Sequence, residues 1–267
     1  MKEKTISIHS SRGGTGKTLI ASNLATIYAR EGLNVALLDL DFRAPSIYAI
    51  FSQYERSLTE SWLNDFLDNR CHAEQVLIDV TEKLNLKGRL LVGLANPSIA
   101  AIRGMMEKSR AWEVSAVKKI FSLLYTLFNK LDIDYCILDT SPGIHYASVN
   151  AVVSSDISVI VTTLDSIDVK GVENMLSELF DALAKKPLIL INKAFPETRR
   201  QSAEKRNELI GQLEKTVKHE VIGEIPCYCD VLQAKRTSLL AIENPNHKFV
   251  GDLEKIGKKL KYFIEKG

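Results

Sequence analysis

Short runs of apolar residues alternate along this chain with longer stretches in which apolar residues recur at helical spacing. Several short runs are apolar on consecutive residues, which is typical of strands buried on both faces. The pattern predicts strands at 5–10, 34–40, 89–94, 134–140, 157–164, 187–193 and 219–226. It predicts helices at about 17–31, 112–131, 168–184, 200–217 and 249–265. This alternation favours an α/β fold, a mostly parallel central sheet of about seven or eight strands with helices on both faces.

Length and composition narrow the class of protein only slightly. The chain has 267 residues, is 45% hydrophobic and shows no linker rich in Pro, Gly or Ser, so we expect a single domain over 1–267. Residues 52–111 are its least regular part and are expected to carry contacts specific to this protein. A net charge of +2 says little about nucleic acid. With no long apolar run, no signal peptide and four irregularly spaced cysteines, we expect a cytoplasmic protein.

The sequence SRGGTGKT, between the first strand and the first helix, predicts a phosphate-binding loop. Gly13, Gly14 and Gly16 would let backbone N–H groups converge on phosphate, where side chains would obstruct them. The following helix points its positive end at the same anion. Lys17 would then reach the β- and γ-phosphates, and the Thr18 hydroxyl would ligate Mg²⁺.

Acidic residues end two of the other predicted strands. Asp39 and Asp41 close the run NVALLDLD, and Asp139 closes DYCILD, with Gly143 four residues further on. An apolar strand that ends in Asp and is followed by Gly is a Walker-B and switch pattern. Either feature alone is weak, because strands often end in Asp at a turn or a helix cap. Together with the loop, and in this order, they indicate a nucleoside triphosphatase.

These features resemble the MinD/ParA family of deviant Walker-A P-loop ATPases, which is related to the nitrogenase iron protein. The loop of that family typically reads K-G-G-x-G-K-T, and here it reads R-G-G-T-G-K-T. The family forms its base pocket from an Asn at the end of a late strand and from a later Ile-Pro segment. This chain resembles it in Asn192, within ILINK, and in the pair Ile225 and Pro226. The resemblance covers roughly 4–245 and implies a P-loop NTPase fold with ATP or ADP and Mg²⁺ as cofactors.

The resemblance also implies roles for individual residues. Lys17, Asp41 and Arg12 would be catalytic, with Asp41 positioning the attacking water and Arg12 reaching the phosphates of the partner in an ATP-bound dimer. Arg12 stands where the family normally has Lys, so an Arg that merely lies beside the loop is the alternative. The implied nucleotide-binding residues are Gly13, Gly14, Thr15, Gly16, Lys17, Thr18, Asn192 and Pro226. Thr18, Asp39 and Asp139 would hold Mg²⁺, and for Asp39 a strand-end cap is the alternative.

The base and the partner are less clearly encoded. INKA is similar to the guanine motif N-K-x-D, but residue 195 is Phe, so no carboxylate is there to accept the guanine N–H donors. This favours adenine. The resemblance then implies a slow ATPase that converts ATP and water to ADP and phosphate, and an ATP-dependent homodimer that positions or partitions an unknown partner protein.

Three further sequence features leave the partner open. A basic set could line a DNA-binding edge: Arg199, Arg200, Lys205, Arg206, Lys235 and Arg236. The amphipathic stretch 249–267 could grip a membrane, as in MinD proteins, or simply close the fold. Cys227 and Cys229 could hold metal at a dimer face, or only pack. DNA partitioning at the nucleoid, organisation at a membrane and maturation of a metal cofactor are thus the rival functions, beside a regulator that binds nucleotide and hardly hydrolyses it.

Overall fold

A computed structural model describes most of the chain, namely residues 4–54, 61–194, 204, 207–208, 210–211, 213–215, 219–233 and 238–266. The strands are β1 (Lys4–His9), β2 (Val35–Leu40), β3 (Leu77–Asp79), β4 (Leu90–Gly93), β5 (Tyr135–Thr140), β6 (Ile157–Thr162), β7 (Leu188–Ala194) and β8 (Val221–Pro226). The helices are α1 (Lys17–Arg30), α2 (Ile47–Phe51), α3 (Leu63–Leu67), α4 (Ile99–Met106), α5 (Arg110–Lys130), α6 (Tyr146–Ser154), α7 (Ser166–Met175), α8 (Cys229–Gln233), α9 (Leu240–Glu243) and α10 (Lys248–Lys266).

The eight described strands form one sheet in the order β3-β4-β2-β5-β1-β6-β7-β8. Seven strands run parallel, and β3 pairs antiparallel with β4 at one edge. The predicted α/β class with a mostly parallel sheet is therefore confirmed. Because the strands are parallel, the carboxyl ends of β1, β2, β5, β6, β7 and β8 lie along the same edge, which is where open α/β sheets hold their ligands.

Both faces of the sheet are covered, which explains the consecutive apolar positions. In β5, Tyr135 and Ile137 join a core with α1 and α10, whereas Cys136 and Leu138 join a core with α3 and α5 on the other face. β7 behaves in the same way, because its alternate residues join the α1 core and a third cluster that includes α7. Successive side chains of a strand point to opposite faces, so a strand between two helical layers needs apolar residues at every position.

Several elements differ from the predicted pattern, including the helices α4 and α6, which were not predicted. β3 lies inside the stretch 52–111 and was not predicted, because it has three residues and ends at the exposed Asp79. The predicted helix 168–184 begins earlier, at Ser166 after the Asp165 cap, and passes at Leu176–Phe180 into a π-helix. The described residues between 204 and 215 are helical, as predicted, while the rest of the predicted helix 200–217 lies outside the described residues.

The amphipathic helix α10 closes the fold. Its apolar stripe, including Leu253, Ile256 and Leu260, is buried against the sheet and α1. The Tyr28 hydroxyl of α1 donates a hydrogen bond of 2.8 Å to the Gly257 carbonyl. A Cβ at Gly257 would come within 2.9 Å of the Tyr28 ring, so glycine permits this close helix packing. The stripe is thus used inside the protein, and no helix in the described part is long and apolar enough to cross a membrane.

Candidate functional site

The loop between β1 and α1 has the backbone geometry that its glycines predict. Gly14 and Gly16 have φ of 83° and 99°, in the left-handed region that other residues rarely adopt. A Cβ at Gly16 would also collide with the Asn192 side chain. No described side chain caps the first turn of α1. The amino end of this helix is therefore free to face an anion.

Lys17 opens α1 and lies among carboxylates at the carboxyl edge of the sheet. Its side chain is largely buried, with 6% of the residue exposed. Burial lowers the pKa of the Lys17 ammonium, and the neighbouring Asp139 and Asp41 act in the opposite direction. A buried ammonium has lost its hydration. A phosphate can compensate for this loss, because its negative charge attracts the Lys17 cation.

Asp139 is the acid that the structure leaves least satisfied. It is fully buried, and neither of its carboxylate oxygens accepts a hydrogen bond of ordinary geometry from any residue that the structure describes. Burial raises the pKa of Asp139 to about 7; Asp41 adds to the increase, and the Thr18 hydroxyl and Lys17 oppose it. Unsatisfied buried oxygens are costly, so this carboxylate is suited to bind a cation or a hydrogen-bond donor.

Asp39 lies directly opposite Asp139 in the register of β2 and β5. Its oxygens accept backbone N–H bonds from Asp41, at 3.0 Å, and from Ile47, at 3.2 Å. Burial, and next the charge of Asp139, raise the pKa of Asp39 well above its usual range. The carboxylate therefore also organises the turn from β2 into α2, as the cap alternative anticipates.

Asp41 connects the ends of β2 and β5. Its Oδ1 accepts hydrogen bonds from the Ser141 hydroxyl at 2.8 Å and from the backbone N–H of Ala44 at 3.1 Å. Ser141 and the nearby His145 follow Asp139, and His145 Nε2 lies 2.7 Å from the Arg43 guanidinium. The segments that follow the two acidic strands thus contact each other.

Asn192 and Pro226 lie where the sequence predicts them, at the carboxyl ends of the adjacent strands β7 and β8. The Asn192 amide donates a hydrogen bond of 2.7 Å to the Thr15 carbonyl, so it supports the phosphate loop. Lys193 adopts a positive φ of 56°, and its Nζ donates to the Gly14 carbonyl at 2.7 Å. Asn192 of the predicted base pocket is therefore in direct contact with the loop.

Arg12 is bound within its own chain. Its Nη1 lies 3.2 Å from Oδ1 of Asp168, in the first turn of α7. Sequence reasoning did not single out Asp168, because nothing in its local pattern distinguishes it from an ordinary acid in a first helical turn.

His9 is a second residue that the sequence pattern did not reveal. It ends β1, is fully buried, and its Nδ1 lies 2.6 Å from the Thr140 hydroxyl. The other ring nitrogen, Nε2, has no hydrogen-bond partner among the described residues. Burial, with help from Lys17, lowers the pKa of His9 to about 3.

The oxygen donors at this edge suit an Mg²⁺ ion that is shared with phosphate and water. In the part of the chain that the structure describes, they do not form a metal site made of protein ligands alone. Across the described residues, no group of three His, Cys, Asp or Glu side chains could enclose a metal ion. Mg²⁺ is commonly held by one or two carboxylates together with substrate phosphates and water, and Asp139 and the Thr18 hydroxyl supply such oxygens. Among the described residues Cys227 and Cys229 have no third metal ligand, and both thiols are free.

Comparison with known proteins matches the chain to several relatives. The family model described as ParA, NUBPL iron-transfer P-loop NTPase, matches residues 2–261. An uncharacterized protein, MJECL24, of Methanocaldococcus jannaschii is 27% identical over 240 residues, covering 86% of this chain and 87% of that protein. The putative septum site-determining protein MinD of Oltmannsiellopsis viridis is 27% identical over 199 residues, covering 74% of this chain and 57% of its own length.

Solved structures share the fold. A putative plasmid partition protein from Borrelia burgdorferi bound to AMPPNP superposes with a TM-score of 0.73 at 21% identity, over 100% of both chains. MinD from Pyrococcus horikoshii complexed with Mg-ADP superposes with a TM-score of 0.72 at 16% identity, over 98% of both chains.

Proposed function

Since this chain belongs to the MinD/ParA family of P-loop NTPases, we propose that it is a Mg²⁺-dependent ATPase switch that dimerises on ATP and separates after hydrolysis. The observation that carries the proposal is the buried Lys17 at the uncapped amino end of α1, beside the unsatisfied Asp139. A helix amino end and a buried ammonium attract an anion, and an unsatisfied carboxylate attracts a cation. A magnesium–nucleotide complex supplies both.

The loop would bind the phosphates through its backbone. Gly13, Gly14, Thr15 and Gly16 would contribute N–H groups, and Lys17 would contact the β- and γ-phosphates. Mg²⁺, when bound, neutralises charge on the phosphate oxygens. Thr18, Asp139 and, through water, Asp39 are the residues that would hold it. The relatives bound to AMPPNP and complexed with Mg-ADP support this choice of cofactors.

Asp41 would orient the attacking water. Its hydrogen bonds to Ser141 and to the backbone of Ala44 fix the carboxylate at the point where β2 and β5 end. A carboxylate held in this way can position a water without the side-chain rearrangement that a free one needs. Asn192 and Pro226 would contact the base, and the absence of Asp at residue 195 favours adenine.

The remaining part of the proposal is the dimer. Arg12 is half-exposed, so it can reach a second copy of the chain. A guanidinium that donates to phosphate across an interface stabilises negative charge during phosphoryl transfer.

The rival functions receive uneven support. The six basic residues of the predicted DNA edge lie outside the described residues. The stripe of α10 is buried, so gripping a membrane would require this helix to leave the fold. The matching family model is named for iron transfer, yet within the described ranges the cysteines lack a third metal ligand. The buried stripe and the missing third ligand count against the membrane and metal functions, whereas the DNA function depends on residues outside the described ranges.

Lys17→Ala provides the test. We expect this variant to lower the rate of ATP hydrolysis by about a hundredfold or more, because it removes the cation over the β- and γ-phosphates. Phosphate release in Mg·ATP is the measurement, and Lys87→Ala, at the opposite edge of the sheet, is the matched control. Hydrolysis at the wild-type rate in Lys17→Ala would refute the proposed site.

A further inference from the structure

The ion pair between Arg12 and Asp168 joins the phosphate loop to α7. The two residues are 156 positions apart in the chain, and their charged atoms lie 3.2 Å apart. Of the Arg12 side chain 52% is exposed, whereas only 11% of the Asp168 side chain is exposed. The acid is therefore the fixed member of the pair, and the arginine is the member that can leave.

Two contacts and the close packing of α7 on the loop hold Asp168 in place. Its second oxygen, Oδ2, accepts a hydrogen bond of 2.6 Å from the Thr163 hydroxyl. The Ser11 hydroxyl lies 3.4 Å from the Asp168 carbonyl. A Cβ at Gly171 would come within 2.7 Å of Ser11 Oγ, so the glycine lets α7 pack directly on the loop. The carboxylate is thus presented to Arg12 in one orientation.

The pair also lies at an open surface. Ile167, which precedes Asp168, has 61% of its surface exposed, an unusual value for an isoleucine. Arg12 needs only rotations of its own side chain to turn from Asp168 towards solvent, because the loop backbone is held separately, through the Ser10 hydroxyl and the Arg12 carbonyl. Its guanidinium can therefore exchange one anion for another without unfolding the loop.

We propose that Asp168 is a positioning residue that holds Arg12 within its own protomer, so that ATP-dependent pairing requires each Arg12 to leave Asp168 for the phosphates of the other protomer. This inference rests on the proposed function. A triphosphate offers a guanidinium more negative charge than a single carboxylate does, so only a partner loaded with nucleotide competes well. Asp168 would thereby keep the empty protein monomeric.

The first experiment asks whether the pair forms in the monomer. Urea unfolding without nucleotide compares the wild type with Asp168→Asn, Arg12→Ala and the double variant. We expect a coupling of roughly two- to fivefold in the unfolding equilibrium constant, the range of partly exposed ion pairs. A coupling of zero would refute the pairing, whatever the protein does with ATP.

The second experiment asks whether the pair restrains dimerisation. In Mg·ATP, sedimentation should show Asp168→Asn forming dimers with a dissociation constant roughly 4- to 25-fold lower than wild type, since two pairs break in each dimer. Thr163→Val, which frees Asp168 without touching Arg12, should shift the constant in the same direction by less. Glu173→Gln removes an acid from the same helix, where it pairs with Lys170, and should leave the constant unchanged.

The outcomes separate the two proposals. If coupling is present but Asp168→Asn dimerises no better than wild type, the pair only stabilises α7 and the inference is wrong. If Glu173→Gln tightens the dimer as much, the effect is one of net charge, and the inference is again wrong. If the wild type stays monomeric in Mg·ATP, the proposed function fails together with the release step, while the coupling still reports whether the pair forms.

Discussion

At the scale of single residues, the site contains two buried groups whose charges are suppressed in opposite ways. His9 stays neutral because burial lowers its pKa to about 3. Burial raises the pKa of Asp139 to about 7, so this carboxyl keeps its proton at pH values where an exposed carboxyl has lost it. Both groups avoid an uncompensated charge in the core, and both make stability depend on pH.

The variant His9→Gln should reveal how much His9 contributes to the pH dependence of stability. In the unfolded chain His9 takes up a proton below its ordinary pKa of 6.5, whereas in the fold it does so only near 3. The contribution of neutral His9 to stability is therefore complete above pH 6.5 and is lost as pH falls towards 3. The folding equilibrium constant changes by up to about tenfold per pH unit in this range. Urea unfolding without nucleotide or magnesium should show His9→Gln gaining on the wild type as pH falls.

The informative quantity is the difference in unfolding free energy between the wild type and His9→Gln at each pH. Neither protein alone shows the effect of His9, because Asp139 changes stability with pH in the opposite direction. Its raised pKa lowers stability as pH rises from about 4 to about 7, in the wild type and in the variant alike. A control at pH 8 fixes the loss due to packing alone. A pH-independent difference between wild type and His9→Gln would show that the histidine is not held neutral by the fold.

Sequence could predict the residues that belong to a spaced motif. The glycines, Lys17 and Thr18 follow from the loop, and Asp139 follows from a strand that ends in acid. His9 and Asp168 could not be predicted, because their partners Thr140 and Arg12 lie more than a hundred residues away along the chain. Only the parallel order of the strands brings them together.

At the scale of elements, the strands that were predicted well are those buried on both faces. The boundaries of β2 and β5 agree with the prediction to within one residue, since every position in each is buried. The sequence pattern did not predict β3, because this short edge strand has neither a long apolar run nor a clear alternation of apolar and polar residues. The amphipathic pattern of α10 was evident, but its period alone could not tell a core face from a membrane face.

The buried stripe of α10 can be tested directly. We expect Leu253→Ala to lower the free energy of unfolding by about 2–5 kcal/mol, because a fully buried leucine would leave a cavity against the sheet and α1. Urea unfolding measures the change. Lys258→Ala, on the exposed face of the same helix, should change it by no more than about 0.5 kcal/mol. Equal effects would mean that the stripe does not pack in the fold.

At the scale of the whole molecule, the proposed dimer has two sites that each draw residues from both protomers. Asp41→Ala retains Arg12 to offer its partner, and Arg12→Ala retains Asp41 in its own site. Each variant should hydrolyse ATP poorly alone. A mixed dimer should contain one complete site, and recover up to about half of the wild-type turnover if the sites act independently.

The control mixes Asp41→Ala with a double variant that lacks both Arg12 and Asp41. That mixture contains no complete site in any pairing, so its phosphate release should stay at the level of the separate variants. Mixed dimers can be counted with a different tag on each chain. If mixed dimers of the two single variants form without any recovery, Arg12 does not act on the partner's site.

The sheet order has a consequence for how the protein is made. β1 is the first described strand to be synthesised, yet its two neighbours in the sheet are β5 and β6, more than a hundred residues later. α10, which supports α1, comes later still. A growing chain therefore carries its phosphate loop long before any strand can pair with β1, and such long-range pairing is slow. The phosphate loop can therefore take its place in the sheet only after β5 and β6 have been made, so we expect nucleotide to assist a late stage of folding.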